Sequence, residues 1–167
     1  ILDPVARAVW VYWNGDFEIE PRFYFSEQVP NLQDVVDMAA EKQDLYLLHG
    51  DGHSTVCEYS GLNVAPTRCT ETPYLDGRSS TEGERYTLVN PLTQVLYNPP
   101  PDPSLYYLEP ENQAIYHFSL GNLVYQRQFR PAERIAGGRP ATAFAVNRLE
   151  RVLFLAVGND VYYGSMP

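Results

Sequence analysis

The sequence predicts an all-β fold: about 3.5 to 4 four-stranded antiparallel blades of a β-propeller, a half or partial ring. Composition supplies the first argument. Thirteen Tyr, seven Phe and two Trp against two Met favour flat rings on pleated surfaces, and 44% hydrophobic residues in 167 suffice for one domain with a real core. Repetition supplies the second. Arg151 to Tyr163 reads as one β-hairpin, and Arg7 to Ile19 aligns with it without a gap, placing Arg7 on Arg151, Trp10 on Phe154 and Asn14-Gly15-Asp16 on Gly158-Asn159-Asp160. Two looser copies lie between them, Asp44 to Tyr59 and Ser104 to Phe118. A meander that cannot bury both faces alone must stack on its neighbours, which is the logic of a blade array.

Each element follows in order. Ala8 to Trp13 is an apolar strand closed by Asn14-Gly15, the pair that best tolerates the positive φ of a tight hairpin, so Phe17 to Glu20 should return antiparallel. After Pro21, Arg22 to Phe25 makes a short edge strand. Asn31 to Ala40 fits two periods. Leu32, Val35, Val36, Ala39 and Ala40 suit a helix capped by Asn31, whereas Val36, Met38 and Ala40 alternate as a strand that pairs with Asp44 to Leu48, and the repeat favours the strand. A turn at Asp51-Gly52 leads to Ser54 to Tyr59, and Gly61 to Asn63 turns the chain into Val64 to Thr70.

Glu71 to Asn90 has no sustained period, and residues 71–92 are read as a polar loop insertion in a single domain spanning 1–167. Thr93 to Tyr97 resumes as a strand before the stiff Pro99 to Pro103 connection. Leu105 to Leu108, Ala114 to Leu120 and Leu123 to Phe129 follow, the last with Leu123, Tyr125, Arg127 and Phe129 on one face. Thr142 to Val146, Val152 to Val157 and Val161 to Gly164 repeat three strands, and the fourth is missing. Trp10, Tyr46, Tyr106 and Phe154 then occupy equivalent second strands, each contributing roughly 1.5 to 3 kcal/mol if buried between blades.

The segment Val36-Asp-Met-Ala-Ala-Glu-Lys-Gln-Asp-Leu-Tyr-Leu-Leu48 resembles the NHL-type propeller repeat, a relative of WD40-like blades, in which a valine-aspartate-apolar-alanine strand precedes an aliphatic-tyrosine-aliphatic one. It departs from that pattern at Lys42-Gln43-Asp44, where the family has glycine-asparagine, and at His49, where it has a closing aspartate. Tyrosine-rich propeller segments of bacterial membrane-bound protein phosphatases of the PP2C type are also similar. No phosphatase aspartate motif is present, so that activity does not carry over. Four blades of roughly 40 residues consume the chain, so either N-terminal strands complete the last blade in a small ring, or the chain is half of a larger propeller. The half is favoured, because two open edges invite pairing with another copy or with the rest of a parent chain.

The net charge of −9 argues against nucleic acid. No apolar run reaches the roughly 18 residues of a membrane span, and Ile1 does not open a signal peptide. Arg127, Arg130, Arg134, Arg139, Arg148 and Arg151 gather near the C-terminus, either facing an acidic ligand or scattered over the surface. Cys57 and Cys69 lie symmetrically about the Gly61 to Asn63 turn and are read as a disulfide, with two buried free thiols as the alternative. A disulfide points to the extracellular space or cell surface.

His49-Gly-Asp51-Gly-His53 offers two imidazoles around a carboxylate, ligand types for zinc, although a polar hairpin tip explains the same residues. His117, between Tyr116 and Phe118, is read as a satisfied or exposed histidine rather than a base. Asp16, Asp51, Glu111 and Asp160 fall at equivalent turns of the four units, so a ring of ligand-facing carboxylates competes with ordinary turn chemistry. No nucleophile elbow, phosphate loop, HExxH or CxxC motif occurs, and no cofactor is implied. The reading is a non-catalytic propeller module that binds a protein or glycan. The alternatives are a subunit that assembles through open blade edges, and a glycan hydrolase or lyase using turn carboxylates.

Overall fold

The computed structural model describes residues 1–25, 29–59 and 67–166. Among them the regular structure is strand, with two short 3-10 turns and no α-helix. Four sheets follow one another along the chain, antiparallel apart from one short parallel pair in the third. The first holds β1 (Leu2–Asp3), β2 (Ala8–Val11) and β3 (Arg22–Phe23); the second holds β4 (Val35–Glu41), β5 (Asp44–His49), β6 (Ser54–Glu58) and β7 (Arg68–Thr72). β8 (Leu75–Asp76) leaves that meander and joins the third sheet, β9 (Gln94–Asn98), β10 (Ser104–Glu109), β11 (Ala114–Ser119) and β12 (Val124–Phe129). The fourth holds β13 (Ala143–Asn147), β14 (Val152–Val157) and β15 (Asp160–Ser165).

Alternation in each strand sorts side chains into three apolar layers between successive sheets. Val9, Phe25, Leu32, Leu45, Leu47 and Cys57 fill the first, between the first and second sheets. Tyr46, Leu48 and Val56 meet Leu105, Tyr107 and Phe118 in the second, and Tyr106, Leu108 and Ile115 meet Phe144, Leu155 and Val157 in the third. Every residue of β10 is buried, as a strand covered on both faces requires, whereas β15 is nearly all exposed.

The same hydrogen bond ties one first strand to the next. The Asp37 carboxylate on β4 accepts from the Val95 amide on β9 at 2.8 Å, and the Gln94 side-chain carbonyl on β9 accepts from the Phe144 amide on β13 at 3.1 Å. Asp37 and Gln94 are equivalent, since they pair with Leu48 and Leu108 in matching second strands. The turns β5–β6, β10–β11 and β14–β15 therefore share one end of the stack, called the upper end here.

Residues 31–40 contribute a strand, β4, and no helix. The direct hairpin return expected over Phe17 to Glu20 does not form. Asn14 (φ 53°) and Gly15 (φ 71°) do take positive φ, but they close a 3-10 turn, after which Phe17 and Ile19 are exposed. Pro21 has no amide to donate, and the partner of β2 begins after it, with Val11 opposite Arg22 and Trp10 opposite Phe23.

The first sheet also changes place in the repeat. The loop Asp3-Pro4-Val5-Ala6-Arg7-Ala8 matches Glu109-Pro110-Glu111-Asn112-Gln113-Ala114 in its proline, in the left-handed residue before the second strand (φ 52° and 54°) and in pairing register. Val9, like Ile115, faces the following sheet, whereas Leu153 packs back on the third. The first sheet thus corresponds to second, third and fourth strands. Aligning Trp10 with Phe154 puts it on the wrong face: Tyr46 and Tyr106 are buried between sheets, while Trp10 and Phe154 are only half-buried.

The segment 71–92 is mostly irregular and exposed, as a loop reading expects, but it is anchored to the third sheet. Glu71 and Thr72 end β7, and β8 runs parallel to β12, with Leu75 opposite Val124. Tyr74 and Leu92 are buried in the middle layer. Arg78 holds Asp76 through two hydrogen bonds of 2.9 and 3.0 Å and lies 4.4 Å from the centroid of the Tyr125 ring.

Candidate functional site

At the upper end, the β5–β6 turn brings His49 and His53 together with their rings stacked, 3.9 Å apart and 10° from parallel. His49 is buried; its Nδ1–H donates to Asp34 Oδ1 at 2.9 Å, and its Nε2 shares a hydrogen bond of 2.9 Å with the Thr55 hydroxyl. His53 Nδ1–H donates to Asp51 Oδ1 at 2.5 Å. The imidazole beside Asp34 and the His53 amide that Asp51 accepts hold these two carboxyls below the usual range. Lone pairs lie in the plane of a ring, so stacked rings do not aim them at one point, and both His49 nitrogens are already engaged. The zinc reading of His49, Asp51 and His53 gives way to a hydrogen-bonded hairpin tip; among the described residues no group of three His, Cys, Asp or Glu side chains is placed to hold a metal. Asp34 and Thr55, which carry no motif, were invisible in the sequence.

The four turn carboxylates do not share one end. Asp51, Glu111 and Asp160 sit in or beside upper-end turns, but Asp16 lies between β2 and β3, at the opposite end of the first sheet, because antiparallel hairpins alternate ends. Asp16 accepts from the Glu18 amide at 2.9 Å, an ordinary turn contact, and Asp160 lies 3.8 Å from Arg139. In the first sheet the residue matching Glu111 is Val5, 95% exposed. Beside that end, the buried Glu109 accepts from Asn90 and from the backbone and side chain of Asn112, and the buried Gln113 side chain bonds Ile135 and Arg139. These groups fix the segment that enters the fourth sheet.

Cys57 and Cys69 form the expected disulfide, directly opposite each other across β6 and β7; the Gly61 to Asn63 turn lies outside the described residues. In the middle layer Ser54 bonds the Tyr74 hydroxyl at 2.7 Å and that of Tyr107 at 3.3 Å, and burial pushes both phenols up, so they stay neutral.

At the lower end, a cavity of about 340 Å³ opens between the third and fourth sheets. Tyr106, His117 and Arg127 form one cross-strand row on β10, β11 and β12. Arg148 and Arg151 enter from the β13–β14 turn, and Asp102 from the connection before β10. A register shift after His117 breaks the alternation expected in the last strand of the sheet. It leaves Leu123 and Tyr125 in the middle layer and turns Arg127 and Phe129 toward the fourth sheet. His117 is neither exposed nor satisfied. It is 7% exposed, stacks on Tyr106 at 4.6 Å, and neither ring nitrogen has a hydrogen-bond partner among the described residues.

The fold defines an all-β stack of four sheets, with one disulfide, two hydrogen-bonded turn ends and a basic cavity. A scan of protein-family models finds no match to the chain, and no match appears among the curated proteins.

Proposed function

We propose that this chain is an arc of consecutive β-propeller blades of NHL-like type, acting as a non-catalytic module that binds a protein or glycan outside the cytoplasm. The observation that carries the reading is the repeated bond between first strands, Asp37 to Val95 and Gln94 to Phe144, which imposes one relation on successive sheets. The Cys57–Cys69 disulfide is compatible with an oxidising compartment, and no helix among the described residues is long and apolar enough to cross a membrane. Glycan-array and protein pull-down binding, lost when upper-end turn residues such as Asp51 and Glu111 are changed to alanine, is the expected outcome. Turnover of a glycoside or ester panel that disappears in Asp51→Asn or Asp160→Asn would instead make the chain an enzyme.

Assembly through open sheets is the second reading. Val161 (68% exposed) and Tyr163 (80% exposed) stand beside the half-buried Phe154 on the outer face of the fourth sheet. At the other end of the stack Trp10 packs edge-on against Phe23 at 5.5 Å, on the face turned away from the second sheet. Apolar faces at both ends suit further sheets of the same kind.

A further inference from the structure

The lower cavity is built by pairing rather than by chance proximity. Tyr106, His117 and Arg127 are fixed opposite one another in three adjacent strands, and no rotation of a surface loop separates them. Arg148 is held by two bonds to Asp102, 2.9 Å to its carbonyl and 3.1 Å to its carboxylate. Arg127 and Arg151 have no carboxylate within ion-pair distance among the described residues, although the chain carries a net charge of −9 and carboxylates are plentiful. Among the described residues, three guanidiniums thus face one carboxylate around a buried imidazole whose nitrogens have no hydrogen-bond partner. A buried donor without a partner costs free energy, and such groups in folded proteins are generally met by a bound molecule or ordered solvent.

We propose that this cavity is a binding site for the anionic oxygen headgroup, carboxylate, sulfate or phosphate, of a small ligand. Arg127 and Arg151 supply charge and fork-shaped donors, His117 supplies a ring N–H from the floor, and Arg148, already paired with Asp102, lines the wall. Tyr106 and Phe129 add flat apolar surface for the body of the ligand. The site is independent of the upper-end turns, so it stands or falls apart from the propeller-module reading.

The test follows the side-chain nitrogen signals of the three histidines by NMR at constant ionic strength. Sodium glucuronate, sulfate and phosphate are titrated separately, with glucose as the uncharged arm. At least one oxyanion is expected to shift His117 saturably while glucose does not, and the identity of the effective anion separates a carboxylate ligand from a sulfate or phosphate one. Arg127→Met and Arg151→Gln, both at exposed positions, are each expected to weaken that binding by about tenfold or more. Arg130→Met, in the neighbouring groove, leaves it unchanged. No saturable shift of His117 with any of the three anions overturns the proposal. So does unchanged affinity in the Arg127→Met and Arg151→Gln variants when near-UV circular dichroism shows them natively folded.

Discussion

His117 carries the clearest single-residue consequence. Burial, reinforced by the Arg127 and Arg148 charges against an opposing pull from Asp102, pushes its imidazole down to about 4. In the unfolded chain the group titrates near its ordinary value of about 6.5, so between these two values the unfolded state binds more protons. His117 therefore costs no stability above about pH 6.5, removes it as pH falls through the window, and levels off below about 4, a loss of up to about 3 kcal/mol. Urea unfolding across pH 4 to 7 is expected to show this slope, and His117→Phe to remove that part of it; equal slopes in the two proteins would refute the assignment. The disulfide gives a second test. Cys57 and Cys69 are 12 residues apart, and closing such a loop stabilises by about 3 kcal/mol in the chain-entropy treatment, so a Cys57→Ser/Cys69→Ser protein should melt several degrees lower. The pairing was legible because symmetry about a turn is a sequence property. The surroundings of His117 were not, because its neighbours lie on other strands and on another sheet.

Strands were legible where they alternate or run apolar, as in β5, β10 and β14, and the repeat correctly chose a strand over a helix at Val35–Glu41. The segment read as a loop is largely irregular as expected, but its short strand β8 was not legible because its partner lies far along the chain. Gly77 shows how tight that contact is: a Cβ there would lie 2.7 Å from Val124 Cγ1 and 3.0 Å from the Tyr125 carbonyl. Gly77→Ala is expected to detach β8, destabilising by roughly 1 to 3 kcal/mol and removing hydrogen-exchange protection at the Leu75 amide, which donates to the Leu123 carbonyl at 3.0 Å. The bond between first strands is tested at Asp37. Asp37→Ala leaves the Val95 amide unpaired and should cost about 1 to 3 kcal/mol, whereas Asp37→Asn keeps an acceptor and should recover most of it. A similar cost for both variants in denaturant unfolding would show that charge, not the bond, matters there.

For the whole molecule, the outer faces of the first and fourth sheets decide the assembly reading. Light scattering over a wide concentration range is expected to show self-association that Val161→Lys and Tyr163→Lys abolish. A monomer at every concentration removes that reading and leaves the binding module. By itself the sequence determined the all-β class, the repeating meander and the disulfide, since alternation, turn residues and aromatic content act locally and along one strand. Only the tertiary structure decided which strand of a unit the first hairpin represents, which turns share an end, and which arginines meet His117. Local pattern tells a residue that it belongs to a strand with two faces; the neighbouring sheet decides what each face meets.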